Sequence, residues 1–547
     1  MNPATLKRSP AEDLKANSHR LRGPIPEELG NASDQFTRPS VGLLKFHGIY
    51  QQDDRDLRKN QPEKVYSCMV RVGIPGGGVT AGQYLALDRL AGEFGDATLR
   101  ITSRQGVQYH YVGKTNLARL IRAVNEAGLN TWAACGDVVR NVTACAAPLA
   151  GEQRGELDAL VRDLRRALQP ASRAYAEIWL DGEKAATLEG ALEEEPLYGP
   201  AYLPRKFKIG FAFPGDNTTD IYSNDVGFVA HFEAGALAGF TVLAGGGMGQ
   251  SNGVKDSYPR LADPVCFIQP DEVLEVSKAI VTIHRDFGNR VNRKLARLKY
   301  VINDRGLDWF KQELAARLGR ALVPPRPLEW TRADDYFGWH PQAGGGWFYG
   351  LRVVSGRLAG AIRAAVREVV ETFGCDVRFT VQQNLYFAGL KEEQKPQLEQ
   401  ILRRHGVALP HELPPVLRHS MACPALPTCG LAITESERIL PEVAAAVQNE
   451  LNALGLDDRI VHLRTTGCPN GCARPYTAEI GIVGESVELY TIYLGGSPRG
   501  DRLAQPYRRL IPLRELAATL RPLFEQWRAT GAPGEAFGDW FHRVRPA

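Results

Sequence analysis

Three segments of this chain occur twice, in the same order, and that duplication limits the possible fold more than any other feature. The alternating stretch LRITSRQGVQYHYVG, from Leu99, returns as VRFTVQQNLYFAG, from Val377, with Arg100 and Arg378 at an offset of 278 residues. RNVTACAAP, from Arg140, returns at the same offset as RHSMACPALP, from Arg418. FTVLAGGG, from Phe240, is echoed by YTIYLGGS, from Tyr490, at an offset of 250, so the intervening segments differ in length. One such agreement is unremarkable; three in order mark an internal duplication. The expected architecture is a duplicated α+β protein with pseudo-twofold symmetry and a site where the halves meet.

In the first alternating stretch, Arg100, Thr102, Arg104, Gln108 and His110 share one parity, and Leu99, Ile101, Val107 and Tyr109 the other. This predicts one strand with a core face and a basic, hydrogen-bonding face, with a bulge at Gly106. Upstream, Tyr84, Leu87, Leu90, Ala91 and Phe94 recur at helical spacing, so a helix is expected from Thr80. Residues 1–65 hold few apolar runs and many charges, and read as an extended arm suited to contacting a partner. The matching motifs assign 66–132 and 336–410 to one pseudo-symmetric unit, and 133–335 and 411–547 to two larger lobes around the site.

The nine cysteines are scattered, which argues for a reducing, cytoplasmic setting rather than a disulfide scaffold. Four of them form two pairs, Cys423-x5-Cys429 and Cys468-x3-Cys472, each in a loop bracketed by Pro and Gly. Four thiolates complete a shell for an iron–sulfur cluster or a zinc ion. Zinc modules use tighter knuckles, and these pairs stand 39 residues apart, which favours a cluster; unrelated buried thiols are the plain alternative. The first copy keeps Cys145 opposite Cys423 but is rich in Arg and Lys, so one half looks specialised for metal and the other for anions.

The basic residues are Arg71 in MVRVGIPGG, Arg100 and Arg104, Arg140 in GDVVRNV, and Lys206 and Lys208 in YLPRKFKIGF. Lys206 and Lys208 are expected on one strand face, with Phe207, Ile209 and Phe211 on the other. Converging on a cavity, such groups bind a compact dianion or a carboxylate-rich cofactor, and the lysines can deliver protons. Each taken alone also fits a solvated sheet face. A lone strand histidine such as His110 is more often a structural or cofactor-packing residue than a ligand. The glycine runs Gly245–Gly247 and Gly495–Gly496 read as tight turns or as bare backbone against a flat cofactor. Dinucleotide, Walker and H-E-x-x-H fingerprints are missing. The polar N-terminus lacks the apolar core of a secretory leader, and the longest apolar stretch, Ala234 to Gly249, is too short and glycine-rich to span a bilayer. A net charge of +4 gives no reason to expect nucleic acid.

From LKFHGIYQQDDRDLR near residue 44 to FGDWF near 540, the chain resembles the sirohaem sulfite/nitrite reductase family, on its assimilatory side. The most specific pieces are YAEIWLDGEK, YLPRKFK, SMACPALPTC and TGCPNGC. The resemblance implies a three-domain fold with ferredoxin-like half-domains at 66–132 and 336–410, and sirohaem at the domain interface. It implies a [4Fe-4S] cluster on Cys423, Cys429, Cys468 and Cys472, with Cys472 also the axial ligand of the sirohaem iron. It puts the anion-binding residues at Arg71, Arg140, Lys206 and Lys208, and macrocycle-contacting or supporting residues at Arg100, Arg104, Gln108, His110 and Asn470.

The activity implied is six-electron reduction of sulfite to sulfide. Nitrite reductases of the family tend to carry Asn where Lys208 stands, which leans towards sulfite, whereas CAAPLAGE after Arg140 is similar to the P-L-A-G of nitrite-reducing relatives. No nicotinamide- or flavin-binding segment is evident, so electrons are expected from an NADPH-oxidising FAD/FMN flavoprotein. Ferredoxin is the alternative, since the tail after Gly538 is shorter than in close relatives. A reading from another class is a non-catalytic iron–sulfur protein whose basic strands bind an acidic partner.

Overall fold

The computed structural model describes residues 8–61, 63–149, 151–171, 177–180, 183–187 and 195–545; part of YAEIWLDGEK lies outside them. Each copy of the alternating motif folds as a hairpin, not as the single strand expected. Leu99–Ile101 pairs antiparallel with Val107–Val112, and Asp376–Phe379 with Leu385–Leu390. The turns pass through Gln105 and Gln383, at φ 59° and 70°. Parity misled because Arg100 lies opposite Gln108 and Ile101 opposite Val107. Cross-strand partners of equal parity keep the same face, so the alternation survives the reversal. Gly106 is no bulge: it ends the turn, where a Cβ would lie 2.4 Å from the Val72 carbonyl oxygen.

Each hairpin builds a five-stranded sheet that the other half completes. The first runs Ile49–Asp53, Tyr66–Val72, Val107–Val112, Leu99–Ile101, then Arg357–Leu358 from the second half. The second runs Gly338–Pro341, Trp347–Leu351, Leu385–Leu390, Asp376–Phe379, then Gly78–Val79 from the first. Arg357 pairs with Arg100 and Gly78 with Arg378, so the exchange is reciprocal. The expected helix is present as Ala81–Phe94, its start fixed by a capping box in which Gln83 N donates to Thr80 Oγ1 and Thr80 N to Gln83 Oε1. Its Asp88 accepts from Arg363 (2.6 Å) and Arg367 (2.5 Å) on the helix Gly360–Phe373, tying the two halves together again.

The lobes repeat one mixed sheet. In the first, Ile209–Ala212 runs parallel to Val226–Glu233, followed by antiparallel Ala236–Ala244 and Asp263–Ile268. Val139 and Thr143 lie alongside through parallel bridges to Phe207 and Gly210. In the second, Ser420–Ala422, Leu463–Thr466 and Ile480–Ser486 are parallel neighbours, followed by antiparallel Leu489–Leu494 and Gln505–Pro512. Gly246 and Gly496 are bare for one reason: a Cβ would lie 2.1 Å from the Tyr222 carbonyl oxygen in one lobe and 2.2 Å from that of Ala478 in the other. At these two positions the glycine runs serve close backbone packing.

Residues 1–65 are not an extended arm where they are described. Short helices at Pro10–Ala16, Ile25–Leu29 and Arg38–Leu44 lead to the edge strand Ile49–Asp53. Of the apolar residues here, Leu21, Ile25, Leu43, Leu44, Phe46 and Ile49 are buried in the main core, and Leu14, Leu29 and Val41 pack half-buried against it. The charges that gave the segment its polar look are partly paired inside: Lys15 donates to Glu12 (2.7 Å) and to the Leu203 carbonyl (2.6 Å). The second lobe has its own core, in which the helix Leu440–Asn452 packs Val443, Val447 and Leu451 with Ile482, Ile492, Phe524 and Trp540. Among the described residues, no helix is long and apolar enough to cross a membrane.

Candidate active site

Parallel neighbouring strands bring the two thiol pairs together. Ala422 lies opposite Thr465, so the chain leaves both strands side by side, into Cys423 and, through Gly467, into Cys468. Gly467 N donates to Cys423 Sγ (3.4 Å) and Asn470 Nδ2 to Cys468 Sγ (3.5 Å). Burial first, then the charges of neighbouring thiols, Cys472 foremost, hold the Cys423 thiol far above its ordinary value and push Cys468 up to about 11. Cys429 rises for the same two reasons. A cation bound among these thiols would reverse that penalty and favour their ionised form, which is the chemistry of a metal cluster. Three are buried or half-buried, and Cys472 is exposed.

The loop carrying Cys429 is held by a residue that sequence reasoning passed over. Arg55 donates to the carbonyls of Ala432 (2.8 Å), Pro427 (3.4 Å) and Cys429. The N-terminal segment therefore buttresses the thiol loop; its only sequence signal was an arginine in QQDDRDLR.

Next to the thiols lies a basin of positive charge. Lys206 and Lys208 lie just before the strand Ile209–Ala212, on either side of the bridged Phe207. Phe207, between them, is held by Val139 and buried, so the lysines point the other way, as the alternation predicted. Burial, then Arg205, Arg140 and Arg297, lowers Lys206 to about 7. Lys208 is lowered well below its usual range by burial, then by Arg297, Lys206 and Arg104. Ser103 donates to the Cys472 carbonyl (3.2 Å) while its neighbour Arg104 donates to the Asn141 and Ile209 carbonyls, next to Arg140 and Lys208, so the basin and the thiols adjoin.

Arg71 crosses the first sheet to Gln108, whose amide oxygen accepts from Nε (3.1 Å) and Nη2 (2.6 Å). Its Nη1 donates to Cys135 Sγ, and the guanidinium lies 5.7 Å from the Tyr50 ring centroid. Burial raises the Cys135 thiol, but Arg71, Arg140, Tyr50 and Lys206 outweigh it and bring the thiol below its ordinary value. Arg140 donates from Nε and Nη2 to the Gly136 carbonyl at 3.3 Å. Cys135 and Tyr50 carried no motif in the sequence; only the fold sets them against Arg71 and Arg140.

The remaining predicted residues divide by what they touch. Arg104, at the hairpin turn, is spent on protein: it donates to the Asn141 and Ile209 carbonyls and to Asn224 Oδ1 (2.9 Å). Arg100 joins Glu437 (2.9 Å) and the Ala422 carbonyl (3.0 Å), next to the Cys423 thiol. His110 is buried with Nε2 unpartnered, and burial, then Arg357, Arg100 and Arg71, keeps it neutral. Ser103 on the same turn donates to the Cys472 carbonyl (3.2 Å), joining the first half-domain to the thiol loop. The arrangement thus brings together four thiols, an adjoining basin of half-buried arginines and lysines, and two lysines whose charge is disfavoured. Buried unpaired charge is costly, so such a basin suits an anionic guest.

A family model described as the nitrite and sulphite reductase 4Fe-4S domain matches residues 163–322, and one described as the nitrite/sulfite reductase ferredoxin-like half domain matches 60–127 and 340–405. Within 163–322 the one cysteine is Cys266, so that match is to the repeated lobe fold and not to the thiol set. The sulfite reductase [NADPH] hemoprotein beta-component of Myxococcus xanthus is 44% identical over 545 residues, covering 98% of this chain and 96% of that protein. The protein of that name from Xylella fastidiosa is 43% identical over 549 residues, with 98% and 96% covered. The solved structure of Mycobacterium tuberculosis NirA superposes with a TM-score of 0.80 at 25% identity, covering 98% of this chain and 97% of that one.

Proposed function

The chain belongs to the nitrite and sulphite reductase family, and on that footing we propose that it reduces sulfite to sulfide in the basin beside the four thiols. Enzymes of this family carry sirohaem and a [4Fe-4S] cluster, and the residues here fit both. Cys423, Cys429, Cys468 and Cys472 would hold the cluster, and the exposed Cys472 would also face the sirohaem. The basin's surplus of guanidinium and ammonium groups matches a macrocycle with eight carboxylates. When bound, the two groups supply the electrons and the metal that takes the substrate's sulfur atom.

The chain's own residues supply charge and protons. Sulfite becomes hydrogen sulfide ion by gaining six electrons and seven protons and losing three oxygens as water. Arg71 and Arg140 would hold the anionic oxygens, each guanidinium already oriented by Gln108 or the Gly136 carbonyl. Lys206, at about 7, would be protonated as often as not near neutral pH, and so can hand a proton to a departing oxygen and regain one. Lys208 would gain its proton as an anion enters, since its burial and cationic neighbours keep it neutral otherwise. Arg100, Arg104, Gln108, His110 and Asn470 would position these groups and the thiol loop.

The single observation that carries the reading is that one hairpin turn touches both parts: Ser103 donates to the Cys472 carbonyl, and Arg104 donates to the Asn141 and Ile209 carbonyls beside Arg140 and Lys208. For the electron donor we favour an NADPH-oxidising FAD/FMN flavoprotein, because the NADPH-named relatives align over nearly the whole chain. The test is steady-state reduction of sulfite and nitrite, side by side, by cofactor-replete protein with reduced methyl viologen. A higher kcat/KM for sulfite is expected; a preference for nitrite would assign the chain to the sister activity.

A further inference from the structure

The second lobe has its own counterpart of the anion basin. Lys208 N donates to Asp225 Oδ2 at 2.9 Å, and at the matching place His462 N donates to Glu479 Oε2 at 2.9 Å. Arg418 matches Arg140 in the repeat, and His419 matches Asn141. The lysine-rich chemistry of one lobe is thus replaced by imidazoles and carboxylates in the other. His419 edges a cleft of about 250 Å³ that Arg332, Asp334, His340, His411 and Arg418 also help to line.

We propose that Asp334, His419 and His462 form a binding site for a divalent transition-metal ion of the zinc class. Their ligand atoms all lie within 4.8 Å of one another. Asp334 Oδ1 lies 2.9 Å from His419 Nδ1 and 2.5 Å from His462 Nε2. Two imidazoles and a carboxylate are a standard partial shell for zinc, leaving one position for water. The cleft gives that water room.

The supporting contacts are those of a ligand histidine. His462 Nδ1 is 2.7 Å from Glu479 Oε2, a fully buried carboxylate, so Nδ1 carries the proton and Nε2 is directed at Asp334. Asp334 and Glu479 together bring two negative charges to a mostly buried site; without a metal His462, with a carboxylate at each ring nitrogen, keeps both protons and offsets one of them, and a divalent cation would replace the proton on Nε2. A second contact opposes the metal besides the Nε2 proton: Arg418 Nε donates to His419 Nε2 at 3.3 Å. Metal at Nδ1 moves the His419 proton to Nε2 and ends that contact, while Arg418 keeps its bond to the Pro410 carbonyl. The three ligands come from the segment before the second half-domain, the residue before Ser420–Ala422, and the residue before Leu463–Thr466. A bound ion would therefore clamp the two strands that lead to Cys423 and Cys468.

The experiment uses holoenzyme equilibrated with zinc sulfate at low micromolar concentration and then desalted, with zinc and iron measured by mass spectrometry. One zinc per chain is expected for the natural protein. Asp334→Asn and His419→Gln should weaken retention by more than about 10-fold, and Arg418→Gln should strengthen it. X-ray absorption at the zinc edge of the natural protein keeps the test independent of how the variants fold. A nitrogen and oxygen shell with imidazole scattering is expected. A sulfur shell, sub-stoichiometric zinc, or retention unchanged in both weakened variants would overturn the site.

Discussion

Asp220 and Arg474 occupy the same position in the two lobes and bind each other. Each sits in the left-handed region, at φ 47° ψ 54° and φ 56° ψ 50°, immediately before a short 3-10 turn that leads into the parallel-paired strand of its lobe. Arg474 Nε donates to Asp220 Oδ2, and Arg464 joins the same carboxylate at 2.9 Å. A duplicated position has thus diverged into opposite charges that meet where the lobes touch. Burial raises the Asp220 carboxyl, but Arg464 and Arg474 outweigh it and keep it ionised. The pair holds the lobes in one relative placement, and the basin and the thiols are aligned by that placement.

Asp220→Asn should therefore be costly, because it leaves two buried guanidiniums without their counter-charge. The loss expected for breaking a buried pair on one side is about 3–5 kcal/mol. It is read as a lowered thermal midpoint of the holoenzyme at fixed protein concentration. A midpoint within error of the natural protein would show that the contact does not hold the lobes.

Cys472→Ser should remove both centres together. Cys472 is the exposed member of the thiol set, and its carbonyl is held by Ser103 on the hairpin turn that also carries Arg104. Iron and acid-labile sulfide, with the visible spectrum, should show loss of the cluster and the macrocycle in parallel. Retention of full macrocycle absorbance would separate this thiol from that group.

Lys206→Met should lower sulfite turnover by about 10²–10⁴-fold, the range of general-acid catalysis, with cofactor absorbance unchanged. Its pH signature is specific. In the anion-free basin Lys206 loses its proton as pH rises through about 7, and an entering dianion pulls that value upward. Sulfite binding at a pH above about 7 should then be accompanied by proton uptake, and the Met variant should lose part of it. Calorimetry in two buffers of different ionisation heat measures this.

Arg55→Ala should leave kcat close to the natural value in anaerobic assays but shorten the life of the cluster in air. Arg55 touches carbonyls at Pro427, Cys429 and Ala432 and no ligand sulfur. Losing it frees the Cys429 loop without altering the metal shell. The decay of cluster absorbance under air, compared between the two proteins, decides it.

Much of this molecule was legible before any coordinates. The duplication showed because Arg100 and Arg378, and Arg140 and Arg418, recur at one offset. The helix at 81–94 showed because Tyr84, Leu87, Leu90, Ala91 and Phe94 keep a 3.6-residue period behind a Thr80 cap. The thiol pairs showed because their spacing and their Pro and Gly neighbours are local. These features are all written into short runs of chain, where period and spacing translate directly into a face, a turn or a cap.

What packing decided has no local period. The polar run S-R-Q-G holds parity whether it is a bulged strand or a hairpin turn, and pairing with Tyr66–Val72 on one side and Arg357–Leu358 on the other selects the hairpin. Arg71 meets Cys135, Arg474 meets Asp220, and Asp334 meets His419 and His462 across scores to hundreds of residues. Nor did the charges of residues 1–65 reveal that Lys15 is buried against Glu12 and Arg55 locked to the thiol loop. A side chain's type fixes which partners it can satisfy. Which partner it finds, and how far burial and neighbouring charge then shift its proton, is settled only when distant strands are brought within hydrogen-bonding distance.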